Sequence, residues 1–244
     1  MRLLGSVDLP AEMLAVVPLE ANGVVGQKAT QVFDAPRAHC IIPSIDNRSG
    51  YVALHGGDTV LHFALDLATR RLTPLNPPGF PTEAQAGPRH LTLHAPSLRL
   101  FVLNERSGAV DALSVEPTTG ALTPLASTSM LPVGYQATPT AADIHVTSDG
   151  RFLYASERTE SFITIFAVDP ATGALTPVDW VKTEASPRGF AIDPHDRFML
   201  VAGQFSGRLS VYAIDPANGR LRKTNDRAVG TNPNWVEIVD VGGR

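Results

Sequence analysis

The sequence is almost without cysteine, has no excess of positive charge and contains no long apolar run. Cys40 is the only cysteine among 244 residues, so no intramolecular disulfide can form. That usage predicts a reducing, cytoplasmic setting. No apolar stretch approaches the roughly 20 residues that cross a bilayer as a helix. The opening MRLLGSVDLPAEM lacks the unbroken apolar core of a signal peptide, so no membrane partner is expected. Lysine and arginine number 20 against 24 acidic residues, a formal net charge of −4. The two signs are mixed along the chain, which argues against nucleic acid as a partner. Long segments with a 3.6-residue apolar period are also missing, so helices should be few. There is no Gly-x-Gly-x-x-Gly, no Walker loop, no Gly-x-Ser-x-Gly and no His-Glu-x-x-His. One cysteine and scattered histidines give no zinc spacing, and DNRSGYVAL lacks the acidic spacing of a calcium loop. Neither a metal nor a cofactor is therefore expected.

What the chain does have is glycine, proline and a repeat. Gly and Pro number 20 each, a turn-rich inventory, and 43% hydrophobic with 18% charged residues is a soluble globular composition. The turn segments PTTGAL (117–122), PATGAL (170–175) and PANGRL (216–221) are near copies, with LATRRL (67–72) a looser one. Each follows an alternating strand: TVLHFALD, AVDALSVE, FITIFAVD and LSVYAID. Upstream of those strands stand RSGYVAL, RLFVLNE, RFLYASE and RFMLVAG, each preceded by a further short strand. Period-two alternation marks strands, and Pro followed by a polar residue and Gly marks the hairpin between the third and fourth strand of a unit. Four strands recurring every 40–50 residues is the signature of a propeller blade. The sequence thus predicts an all-β fold, a β-propeller of four-stranded antiparallel blades in one domain over residues 1–244. Clear blades fall at about 39–80, 88–130, 141–182 and 187–230, with partial blades at both ends, so that about five blades are represented. Residues 13–26 read as a third strand, a turn and a fourth strand, and 232–241 as an innermost strand. As read, the ring has a gap.

Blade geometry places side chains. The start of strand one and the end of strand two share a rim. His39, Arg89 and Arg188 sit at or just before strand one, and Glu105, Glu157, Arg158 and Gln204 at or just after strand two. All should converge at one mouth of the central channel. Arginine forks suit carboxylate or phosphate, and His or Glu can move a proton, so the rim suits a small anionic substrate. His145 lies inside a first strand, where it can line the channel. His94 and His195 fall in opposite-rim turns, His55 and His62 have no assigned role, and Cys40 reads as a buried small hydrophobe. For His39 a hydrogen-bonded core position is the competing reading.

The stretches GPRHLTLH (87–94), FVLNE (101–105), 141–169, 187–215 and AVGTNPNWVEI (228–238) resemble the lactonase family of seven-bladed propellers, which includes propeller-type 6-phosphogluconolactonases and carboxymuconate cyclases. HCIIPSIDNRSGYVAL (39–54) matches more weakly, and residues 1–38 poorly. The resemblance implies hydrolysis of 6-phosphogluconolactone to 6-phosphogluconate in the pentose phosphate pathway, on a small anionic sugar-lactone substrate and with no cofactor. It also implies a catalytic set of His39, Arg89, Glu105 and Arg158, with Arg188 as a further anion ligand; His145, from its place on the channel, joins Arg188 as a candidate substrate-binding residue. Two other readings stay open: a carboxymuconate-type lactone cycloisomerase, and a shortened, non-catalytic propeller acting as a binding scaffold.

Overall fold

A computed structural model describes residues 3–8, 12–20 and 22–240. The strands fall into five antiparallel sheets in chain order. The first has three strands, β1 (Leu3–Asp8), β2 (Met13–Pro18) and β3 (Gln31–Asp34). The second contains β4 (Ala38–Pro43), β5 (Ser49–Leu54), β6 (Thr59–Asp66) and β7 (Arg71–Pro81). The third contains β8 (Pro88–His94), β9 (Arg99–Asn104), β10 (Ala109–Val115) and β11 (Leu122–Ser129). The fourth contains β12 (Ala141–Val146), β13 (Phe152–Glu157), β14 (Phe162–Val168) and β15 (Leu175–Lys182). The fifth contains β16 (Pro187–Ile192), β17 (Phe198–Gly203), β18 (Arg208–Ile214) and β19 (Leu221–Ala228). Among the described residues the one helical segment is a 3₁₀ turn at Ala95–Ser97, and no helix is long and apolar enough to cross a membrane.

Each sheet is a simple meander, and the first strands stand side by side: β4 next to β8, β8 next to β12, β12 next to β16. This is propeller architecture. The sheets pack face to face, so strands in the middle of a blade are covered on both faces. β5 and β13 are buried along their whole length. A separate apolar core fills each of the four gaps between successive sheets. Leu14 and Val16 meet Val52 and Phe63 in the first gap, and Tyr51 and Val60 meet Leu100 and Leu113 in the second. Phe101 and Val110 meet Leu153 and Phe166 in the third, and Tyr154 and Ile165 meet Val201 and Tyr212 in the fourth. Burying a side chain of this size contributes about 1.5–3 kcal/mol.

The ends differ from the sequence reading. Met13–Pro18 is a central strand, flanked by Leu3–Asp8 and by Gln31–Asp34, and Val25 makes only a single bridge to Leu19. The fourth-strand role expected for residues before 26 is taken by 31–34, after a longer connection. Residues 232–240 form no strand; they cross the inner side of the last sheet, where the Asn234 carbonyl lies against Gly189. Residue 241 lies outside the described residues.

The repeated hairpins have two jobs. A carboxylate at the start of each turn accepts backbone N–H groups within it. Asp169 Oδ1 takes Ala171 and Thr172 at 3.0 and 2.7 Å, and Asp66 Oδ1 takes Ala68 and Thr69 at 2.8 and 3.1 Å. The turn then docks on the second strand of the preceding blade. The Tyr51 hydroxyl donates to the Gly120 carbonyl at 2.9 Å, and the Tyr154 hydroxyl donates to Gly219 at 2.8 Å. Arg99 Nη2 reaches the Ala171 carbonyl at 3.1 Å in the same relation. Gly120 has φ +73°, and a Cβ there would lie 2.3 Å from Ser49 Oγ.

Two substitutions grade this latch. Tyr51→Phe leaves the Gly120 carbonyl without its donor and should cost about 1–2 kcal/mol, a fall in Tm of about 3–6 °C. Gly120→Val combines a left-handed backbone with a steric clash and should cost more. Denaturant melts of both variants check the order, and a Tyr51→Phe variant as unstable as Gly120→Val would contradict it.

Candidate active site

Two recurring positions build the site. The first is a β-bulge near the start of every four-stranded blade's inner strand. Pairing slips between Ala38 and Cys40, between Pro88 and His90, between Ala141 and Ile144, and between Pro187 and Gly189. The residues thrown out of register are His39, Arg89, the pair Ala142–Asp143, and Arg188. A bulge bends its strand and re-aims the extra side chain. The second position is the first residue after strand two: His55, Glu105, Arg158 and Gln204. Both positions lie on one rim, so successive blades deliver His, Arg, Glu and Asp to one mouth.

At the centre stands Glu105. Its Oε2 lies 2.8 Å from Arg89 Nε, and its Oε1 accepts Arg158 Nη2 at 2.8 Å. Arg89 is almost wholly buried, with 2% of its side chain exposed. Its Nη1 donates to the Ala142 carbonyl of the next blade, and Arg158 Nε donates to the Thr140 carbonyl at 3.0 Å. Burial lowers Arg89 to about 10, with Glu105 opposing and Arg158 and Arg188 adding to the fall, so the group stays cationic at neutral pH. Arg188 is lowered by burial and by Arg158, and makes no ion pair among the described residues.

A row of imidazoles leads away from Glu105. His55 Nε2 lies 3.5 Å from Glu105 Oε2, the His55 and His39 rings are 6.4 Å apart, and His39 and His90 are 5.1 Å apart. His90 Nδ1 then meets Asp143 Oδ1 at 2.7 Å, and His145 Nε2 meets Asp143 Oδ2 at 3.3 Å. Burial, followed by the Arg89 charge, pushes His39 down to about 2, so its ring is neutral. Burial works against protonation of His145, but the Asp143 carboxylate overcomes it and His145 is raised. Burial likewise opposes ionisation of Asp143, yet His145 and His90 hold it well below the usual carboxylate range.

The structure brings Arg89, Glu105 and Arg158 into direct contact. It sets Arg188 within electrostatic reach of Glu105 and Arg158, and connects His39 and His145 through the imidazole row. Glu157 serves the turn instead: it is fully buried and accepts the N–H groups of Thr140, Thr159 and Glu160. Gln204 donates to Asn232 Oδ1 at 2.7 Å. His94 is held by Ser97 and by the Ser148 carbonyl, and burial raises the Cys40 thiol to about 11, which leaves it inert. Sequence reasoning missed His55, His90 and Asp143. The signal for His55 was present, because it occupies the same position after strand two as Glu105 and Arg158. Among the described residues no group of three His, Cys, Asp or Glu side chains is arranged to hold a metal ion.

The family profile described as "Lactonase, 7-bladed beta-propeller" matches residues 10–238. The chain belongs to the lactonase family of seven-bladed propellers. A 6-phosphogluconolactonase of Serratia proteamaculans is 36% identical over 240 residues, 98% of this chain and 72% of that one. The structure of a putative 6-phosphogluconolactonase from Bacteroides fragilis superposes with a TM-score of 0.89 at 26% identity, over 98% of this chain and 70% of that one. A periplasmic gluconolactonase of Pseudomonas aeruginosa superposes with a TM-score of 0.85 at 31% identity, over 94% and 67%. The lactonase profile begins at residue 10, upstream of the Met13–Pro18 strand, so residues 10–38, whose sequence resembles the family poorly, belong to it as well.

His39 gives the candidate site a signature in acid. Its folded value lies below its unfolded value, so the stability of the neutral ring is complete above pH 6.5 and is lost as pH falls toward about 2. The stability difference between wild type and His39→Gln should be flat above pH 7. Below pH 6.5 it should shift toward the variant by up to about 1.4 kcal/mol per pH unit. Chemical melts across pH 4–8 read this directly, and a flat difference throughout would refute it.

Proposed function

We propose that the chain hydrolyses 6-phosphogluconolactone to 6-phosphogluconate. One observation carries the reading: Arg89, Arg158 and Arg188 converge on a single carboxylate, Glu105, leaving a rim with surplus positive charge and one uncommitted guanidinium. Arg188 suits the phosphate, and His145, raised by the Asp143 carboxylate, favours an anion as well. Arg89 and Arg158, held rigid by Glu105, suit the oxygen that becomes negative when water adds to the lactone carbonyl. Fixed donors of that kind stabilise an oxyanion by several kcal/mol. The neutral ring of His39 can accept from, or donate to, a substrate hydroxyl. Glu105 aligns the two arginines, since each of its oxygens faces a guanidinium. A phosphorylated substrate goes with a cytoplasmic setting, where sugar phosphates are made and kept.

The relatives described above are named as lactonases, which favours hydrolysis over the cycloisomerase reading. The intact Arg89–Glu105–Arg158 cluster favours it over a non-catalytic scaffold.

The test is hydrolysis of freshly generated 6-phosphogluconolactone, corrected for the spontaneous reaction, beside unphosphorylated gluconolactone. The wild-type chain should accelerate the first reaction. Arg89→Ala combined with Glu105→Gln should lower kcat/KM by about 10²-fold or more. Arg188→Ala should raise KM for the phosphorylated lactone more than for the plain one. A wild-type rate equal to the background would sink the reading. Equal use of both lactones, untouched by Arg188→Ala, would remove the phosphate from it.

A further inference from the structure

The cluster described so far binds and polarises a lactone but does not say where the water's proton goes. Glu105 is a poor acceptor, with both oxygens facing arginines. His39 is too weak a base once burial has pushed it to about 2. His55 is lowered by burial and surrounded by Arg106, Arg37 and Arg89, with only Glu105 opposing.

We propose that His90, held by Asp143, takes the proton from the attacking water and hands it to the departing ring oxygen. This rests on the lactonase reading. Asp143 belongs to the bulge of the fourth sheet and has 5% of its side chain exposed. Its Oδ1 meets His90 Nδ1 at 2.7 Å and the Ile144 N–H at 3.0 Å; its Oδ2 meets the Phe190 N–H at 3.0 Å and His145 Nε2 at 3.3 Å. One carboxylate thus ties the inner strands of three blades. A carboxylate with four such neighbours offers no proton of its own, so the proton on His90 sits on Nδ1. The Nε2 lone pair is then the ring's free basic site. His90 follows Arg89 directly after the bulge, and the Arg89 charge acts on its ring. The groups facing it are Asp143 and His145 on β12, Arg89 on its own strand and His39 on β4, with the Trp235 ring 6.4 Å away. Burial lowers His90, while Asp143 opposes that fall more strongly than any other neighbour.

The step balances. Water oxygen bonds to the carbonyl carbon as His90 Nε2 takes one proton. The carbonyl electrons move to the oxygen facing Arg89 and Arg158. The intermediate collapses, the bond from the carbonyl carbon to the ring oxygen breaks, and His90 returns the proton to that oxygen. The new carboxylic acid then loses a proton to solvent.

The test compares kcat, KM and the pH profile of wild type, His90→Gln and Asp143→Asn. His90→Gln should lower kcat by about 10²-fold or more with KM within about threefold. Asp143→Asn should lower kcat and move the acidic limb of the kcat profile to lower pH, because Asp143 raises His90. A merely structural role would lower the folded fraction, read by circular dichroism, without moving the limb. Wild-type protein gives a reading free of mutation: imidazole ¹⁵N NMR should show the His90 proton on Nδ1. Wild-type activity with undiminished kcat in His90→Gln, an unmoved limb in Asp143→Asn, or a proton on Nε2 would each overturn the base assignment alone. An inactive wild type would overturn the lactonase reading, and the assignment with it.

Discussion

Everything in this structure depends on sheets packed face to face, with the second, third and fourth covered on both faces by their neighbours. A two-faced sheet cannot stand alone in water, so each blade needs the next, and the apolar cores lie between blades rather than within one. Stacking of this kind around an axis gathers the inner strands at the centre. It also leaves one irregularity available near the start of each inner strand. The bulges use it: a residue released from the ladder at the same place in each four-stranded blade points to the same mouth. The packing makes a repetitive scaffold, and the bulges turn that repetition into a ring of different side chains.

The polar site is held by the same logic of mutual need. Arg89 is buried too deeply to be charged without a partner, and Glu105 is that partner. Removing one member of a buried pair typically costs about 3–5 kcal/mol, so the two are constrained together. Asp143 has the same standing on the next blade, with imidazoles and backbone N–H groups in place of a guanidinium. Two carboxylates thus fix two kinds of surroundings. One holds arginines rigid, and the other raises two histidines against burial, which carries His145 above its ordinary value while burial still keeps His90 below its own.

The fold was legible because its turns carry local chemistry. An Asp, a Pro and a Gly spaced as in DPATGAL specify a hairpin with little help from the rest of the chain. The rim residues His39, Arg89, Glu105, Arg158 and Arg188 were legible because position within a repeat fixes position in space. His55 received no role, although it follows strand two just as Glu105 and Arg158 do. His90 and Asp143 were hidden for a different reason. Strict alternation turns neighbours such as Arg89 and His90 to opposite faces, and only the bulge, which leaves no mark in one sequence, brings both to the channel. At the start of the chain, the strand at Gln31–Asp34 pairs with Met13–Pro18 across a connection too long for the hairpin rule that served the other blades.

The fixed guanidiniums have a consequence for the end of the reaction rather than its beginning. Opening a lactone creates a carboxylate, so the product leaves with one more negative charge than the substrate brought. Arg89 cannot swing away to release it, being buried and tied to both Glu105 and the Ala142 carbonyl. A mouth lined this way holds the opened acid more firmly than the closed ring. Salt in the surrounding solution, by screening those charges, would ease the escape of the product.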